Sequence, residues 1–115
     1  MPVLRVSDMQ RAIDWYTHLL GFEVHSHFVF GGVESCVLQI GATRLRLFTG
    51  SHAGGKPAFN DTLYFERSGV RELWNRIRDQ VEIVKPLELM EYGTLEFRVR
   101  DPDGYALAFV EPAVS

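Results

Sequence analysis

A single cysteine, Cys36, is all the chain contains, so no intrachain disulfide can form and a reducing compartment is the expected setting. Basic runs are absent and the net charge is −3, which argues against nucleic acid as the main partner, because phosphate binding needs clustered lysine and arginine. No apolar run approaches the roughly 20 residues that cross a bilayer. Met1 leads straight into a strand pattern, so neither a signal peptide nor a membrane segment is expected, and the cytoplasm is the default location. P-loop, nucleophile-elbow, Cys-x-x-Cys and dinucleotide fingerprints are missing as well. What is there is 115 residues with an ordinary share of apolar side chains, enough for one globular domain with a real core, in which Cys36 reads as a small buried hydrophobe.

The strongest positive signal is a repeat. Pro2–Val6 reads as a strand, and Asp8 then caps a helix whose apolar stripe is Met9, Ala12, Ile13, Tyr16, Leu19 and Leu20, ended by Gly21. Residues 22–30, 34–40 and 43–49 are three further strands, separated by the turn pairs Gly31-Gly32 and Gly41-Ala42. Gly69 opens a second helix 61 residues after Asp8, following the strand Thr62–Glu66, with Val70, Leu73, Trp74, Ile77 and Val81 at helical spacing. Strands at 82–89, 94–100 and 105–110 complete the second copy, the last two joined by the turn Asp101-Pro102-Asp103-Gly104. The order is β-α-β-β-β twice: module one 1–50, a linker or lid 51–61, module two 62–115. The expected class is α+β, with the two modules forming a curled mixed sheet around a concave pocket.

Alternation along strands assigns faces. Leu4, Val6, Leu63, Phe65, Leu95, Phe97 and Val99 are expected beneath the helices; Met1, Val3, Arg5, Thr62, Tyr64, Glu66, Glu96 and Arg98 face the concavity. Glu66 and Glu96 are expected to be neutralised by Arg98 or Arg5. Trp15, Phe28, Phe30, Phe59, Tyr64 and Tyr92 exceed what the helix stripes require and could hold a planar ligand by stacking. His25 and His27, two apart on one strand, share a face on this reading, whereas His18 and His52 read as surface residues.

Residues Pro2–Val24 resemble the opening of the vicinal oxygen chelate superfamily, and Tyr92–Pro112, with its Asp-Pro-Asp-Gly turn, resembles the closing. That superfamily includes glyoxalase I, extradiol dioxygenases, and fosfomycin and bleomycin resistance proteins. The resemblance implies metal ligands on the first and last strands of each half, the first-strand position lying seven residues before the helix-opening Asp. Here those positions carry Met1, Thr62, Leu47 and Ala108, a set without carboxylate, imidazole or thiolate. A register slip of one would bring Asp61 into the set without rescuing it. No metal or other cofactor is therefore expected, and the resemblance points to the non-metal, bleomycin-resistance-like branch.

The resemblance implies capture of a planar polar molecule, such as a bleomycin-type antibiotic, in the groove of a homodimer, with no catalysis. Phe28, Phe30, Gln39, Tyr64, Glu66, Tyr92, Glu96 and Arg98 are the candidate ligand-binding residues. The alternative is a metal-dependent lyase, dioxygenase or thiol transferase using ligands such as His25, His27 and Glu66. A scaffold with no small-molecule ligand is the third reading.

Overall fold

The computed structural model describes residues 1–50 and 62–112 and divides the chain into two compact units, Met1–Asn60 and Asp61–Ser115. The expected linker 51–61, with His52, Phe59 and Asp61, lies outside the described residues. Each unit holds one helix and one four-stranded sheet, in the β-α-β-β-β order that the repeat implies.

In module one the elements are β1 (Val3–Arg5), α1 (Met9–Leu20), β2 (Glu23–Phe30), β3 (Val33–Ile40) and β4 (Thr43–Gly50). The sheet order is β1-β4-β3-β2, with β1 parallel to β4 and the other pairs antiparallel. Helix α1 begins where the Asp8 carboxylate accepts the Arg11 N–H at 3.0 Å. It ends at Gly21, whose φ of 81° is the left-handed value that lets Gly21 and Phe22 donate back to Thr17 and Tyr16. Its stripe of Met9, Ala12, Ile13, Tyr16 and Leu20 is buried, as are Leu4, Cys36, Leu38, Leu45 and Leu47 of the sheet. A leucine buried this completely contributes about 1.5–3 kcal/mol.

Module two repeats the plan with β5 (Thr62–Glu66), α2 (Val70–Ile77), β6 (Glu82–Leu89), β7 (Thr94–Arg100) and β8 (Ala106–Pro112), in sheet order β5-β8-β7-β6. Phe65, Phe97, Val99, Leu107 and Phe109 are buried with Val70, Leu73 and Ile77 of α2. Leu63 and Leu95 are only half-buried, because each lies near a strand end. Helix α2 stops at Ile77, so Val81 falls beyond it, outside the stripe assigned to it from sequence. Gly69 has no side chain with which to cap α2, and the cap comes from elsewhere: the Glu111 carboxylate on β8 accepts the N–H groups of Gly69 and Val70, each at 3.1 Å. Pro86 sits in β6, an edge strand with two register shifts, where a missing N–H breaks no ladder that an interior strand would need.

Candidate functional site

One face of each sheet lies under its helix; the chemistry lies on the other, open face. In module one β-pairing lines up Phe28, Ser35, Phe48 and Arg5 in a row across all four strands. Ser35 is short and its two neighbours in the row are rings, so the sheet carries a depression there. Its volume is about 430 Å³, and Val3, Phe30, Val33 and Arg46 close its sides. That is within the usual range for small-molecule pockets. Phe28 and Phe30 are 49% and 81% exposed, a solvent exposure that core packing does not explain. Arg46 donates to the Ser35 hydroxyl at 3.2 Å, and the Arg5 guanidinium lies 5.6 Å from the centre of the Phe48 ring. Beside Val33, Gly50 at the end of β4 has no room for a Cβ, which would collide with the Gly32 carbonyl oxygen.

In module two the open face carries a polar chain. Arg98, Ala108 and Tyr64 stand side by side on β7, β8 and β5. Because Ala108 is short, Arg98 reaches across it, donating to the Tyr64 hydroxyl at 3.0 Å with its guanidinium 5.4 Å from the Tyr64 ring centre. The same nitrogen lies 3.4 Å from Glu96, which is buried. On its other oxygen Glu96 accepts from the Tyr92 phenol at 3.0 Å, and this bond raises the Tyr92 pKa above its ordinary value. Tyr92, Glu96, Arg98 and Tyr64 are thus one hydrogen-bonded string. Glu96 does pair with Arg98, as charge balance required. Glu66 is exposed on the same face and makes no side-chain bond to a described residue.

Other residues sit differently from their sequence assignments. Gln39 is not in the depression: its amide donates to Gly41 at 3.1 Å and accepts from Arg44 at 3.0 Å, tying the β3–β4 turn. Trp15 stands on α1 with its ring edge-on to Tyr16, away from the open face. His25 and His27 do not share a regular strand face, because the register shifts between Val24 and Ser26, and His27 is bonded to Glu34. Sequence reasoning missed Ser35, Arg46 and Phe48. The alternation Arg44-Leu45-Arg46-Leu47-Phe48 was the available signal, since it sends the two leucines to one face and the polar and aromatic residues to the other.

The same alternation corrects one metal-ligand position. Leu47 pairs with Leu4 and is buried beneath α1. The counterpart of Ala108 is instead Arg46, since Ala108 pairs with Tyr64 as Arg46 pairs with Val3. The repeat offset is therefore 61 residues in the first strands and 62 in the last. The extra residue lies in the final turn: five residues separate the paired Arg100 and Ala106, and four separate Gln39 and Arg44. One last-strand position thus holds a guanidinium, and the other holds an alanine spanned by a guanidinium. Neither arrangement offers a donor to a divalent cation, and both place positive charge where one would bind. Among the described residues no three His, Cys, Asp or Glu side chains are grouped to hold a metal ion.

The fold and these open faces define a class. The chain belongs to the Glyoxalase/Bleomycin resistance protein/Dioxygenase superfamily, whose family model matches residues 1–109. Among solved structures it is similar to TioX from Micromonospora sp. ML1, with TM-score 0.80, 25% identity and 97% of each chain covered. It is also similar to a protein of unknown function from Agrobacterium tumefaciens str. C58, with TM-score 0.74, 27% identity, and 96% of this chain and 90% of that one covered. Glyoxalase I from Zea mays shares the fold at TM-score 0.79 and 20% identity, 96% of this chain covering 45% of the maize enzyme. No match was found among curated proteins.

Proposed function

We propose that this protein binds a small planar, polar molecule on the open face of module one without a metal ion, in the manner of the bleomycin-resistance-type members of the superfamily. The observation that carries the reading is the ring-walled depression with Ser35 as its floor, Phe28 and Phe48 as its walls and Arg46 at its side. A planar ligand slotted between the two rings buries apolar area on both of its faces, while the guanidinium and hydroxyl fix its orientation. Micromolar affinity corresponds to about −8 kcal/mol. Two rings withdrawn from water at roughly 1.5–3 kcal/mol each, plus one charge-assisted hydrogen bond, supply most of that.

Capture needs no reacting group, and the donor chemistry at Arg46 and Ala108 supports a metal-independent site. We further propose a homodimer. The edge strand β2 leaves Val24, Phe28, Val29 and Phe30 exposed, and a two-fold partner would cover such an edge.

Thermal-shift screening of planar aromatic compounds, antibiotics included, in EDTA tests the binding reading, since a ligand that binds only the native state must raise the apparent stability. Stabilisation in EDTA is the expected result. A near-stoichiometric divalent metal in protein purified without chelator, together with ligand stabilisation that EDTA abolishes, would replace this reading with a metal-dependent one.

A further inference from the structure

Resting on the binding reading above, we propose that the ligand held by module one is an aromatic anion, a planar ring system bearing a carboxylate or sulfonate that docks on Arg46. The two copies of the repeat differ in how they treat this guanidinium. Ser35 precedes Glu96 by 61 residues and occupies the same place in its sheet: Ser35 on β3 is two residues before Val37, which pairs with Arg46, and Glu96 on β7 is two residues before Arg98, which pairs with Ala108. In module two the buried Glu96 carboxylate lies beside the guanidinium of Arg98 and offsets its charge. In module one the corresponding residue is a neutral hydroxyl, and Arg46 keeps its charge.

Among the described residues Arg46 makes one side-chain hydrogen bond, to Ser35 at 3.2 Å, and no ion pair. A guanidinium carries five N–H donors in a planar fork suited to a carboxylate, so most of its donor capacity faces the depression or solvent. The remaining lining is apolar except for Ser35, so no carboxylate in the depression opposes an incoming anion. Glu34, the nearest acid in sequence to Ser35, points to the other side of the sheet and is bonded to His27. Strand pairing places Arg5 and Arg44 on the same face as Arg46, and the one carboxylate in register with them, Glu23, stands at the far end beside Gln39. Replacing a carboxylate by a hydroxyl therefore does two things at once: it leaves room for a ligand group, and it leaves the positive charge that would select an acidic one.

Three probes of nearly equal size separate charge from shape: 2-naphthoate, neutral 2-naphthalenemethanol and 2-naphthylmethylammonium, titrated calorimetrically into the intact protein at low salt. We expect 2-naphthoate to bind at least tenfold more tightly than the other two and to weaken as salt rises. Arg46→Met, which keeps the stem and removes the charge, is expected to erase that preference, bringing naphthoate down to the affinity of the alcohol for the same variant. Arg46→Lys is expected to retain part of it. Ser35→Asp, which restores in module one the charge pairing of module two, is expected to abolish naphthoate binding; circular dichroism verifies that each variant is folded. Equal binding of all three probes, or tighter binding of the ammonium, overturns the anion inference and leaves the binding reading intact. Failure of every probe to bind the unmodified protein overturns both.

Discussion

Filling the depression from its floor is the sharpest perturbation the open face allows. Ser35 is buried between Phe28 and Phe48, and Ser35→Leu would project a branched side chain into the space between the two rings, not into the packed layer under α1. Overpacking, which costs about 1–3 kcal/mol in a closed core, is therefore avoided. The main loss to folding is the hydroxyl's bond to Arg46, which at the side of an open depression is worth about 1 kcal/mol. A ligand, by contrast, loses the burial of both rings, roughly 1.5–3 kcal/mol each, a fall in affinity of about 100-fold or more. Ser35→Ala is the control, removing the hydroxyl and keeping the depression, and it should weaken binding by less than tenfold. The assay is calorimetric titration of 2-naphthoate into each variant, with urea unfolding alongside. A folded Ser35→Leu protein that binds as tightly as the unmodified one would refute the placement of the ligand between the two rings.

Three further outcomes are expected. Glu111→Ala removes the acceptor of the Gly69 and Val70 N–H groups at the start of α2 and should lower stability by about 1–2 kcal/mol in urea unfolding; a change below a few tenths would contradict the cap. Cys36 is fully buried, and burial, helped by Glu34, raises its pKa, so the thiol stays protonated and enclosed near neutral pH. A disulfide-exchange reagent should find no reactive thiol in the native protein and one after denaturation, and rapid native labelling would be inconsistent with that burial. The Tyr92 pKa is raised by its bond to Glu96, so the stability this bond contributes is complete below the unfolded phenol's value, about 10, and is lost as pH climbs through the higher native one. Ultraviolet titration of the protein minus its Tyr92→Phe variant should place this phenol above that value, and a midpoint at or below it would contradict the bond.

Much of the fold was legible because it rests on short-range chemistry. Asp8 and Gly21 bracket α1 through a cap and a left-handed turn that only their own sequence positions determine, and Thr62–Glu66, Glu82–Leu89 and Thr94–Arg100 are bounded by turn residues. The candidate site was legible only in part. Tyr64, Glu96 and Arg98 came together because alternation along β5 and β7 is unbroken, and Tyr92 joins them from the turn before β7. Arg46 stayed hidden because one extra residue in the Asp101–Tyr105 turn shifts the last strands of the two copies by one, so a fixed offset pointed at Leu47. A shift of one in a strand exchanges its two faces. Gln39 was lost to a local turn bond, and the His25–His27 pair to a bulge, both of which depend on cross-strand pairing that no single segment encodes. The cap on α2 is of the same kind, since Glu111 lies 42 residues along the chain from Gly69.

Amide spectra of isotope-labelled protein, titrated with 2-naphthoate in the presence of EDTA, test the central claim most directly. Saturable shifts at Val3, Val33, Ser35, Arg46 and Phe48, with the amides of the residues under α1 unmoved, are the result expected of a metal-independent pocket on the open face of module one. Shifts that arise only after a divalent metal is added, or that map to other residues, would contradict it.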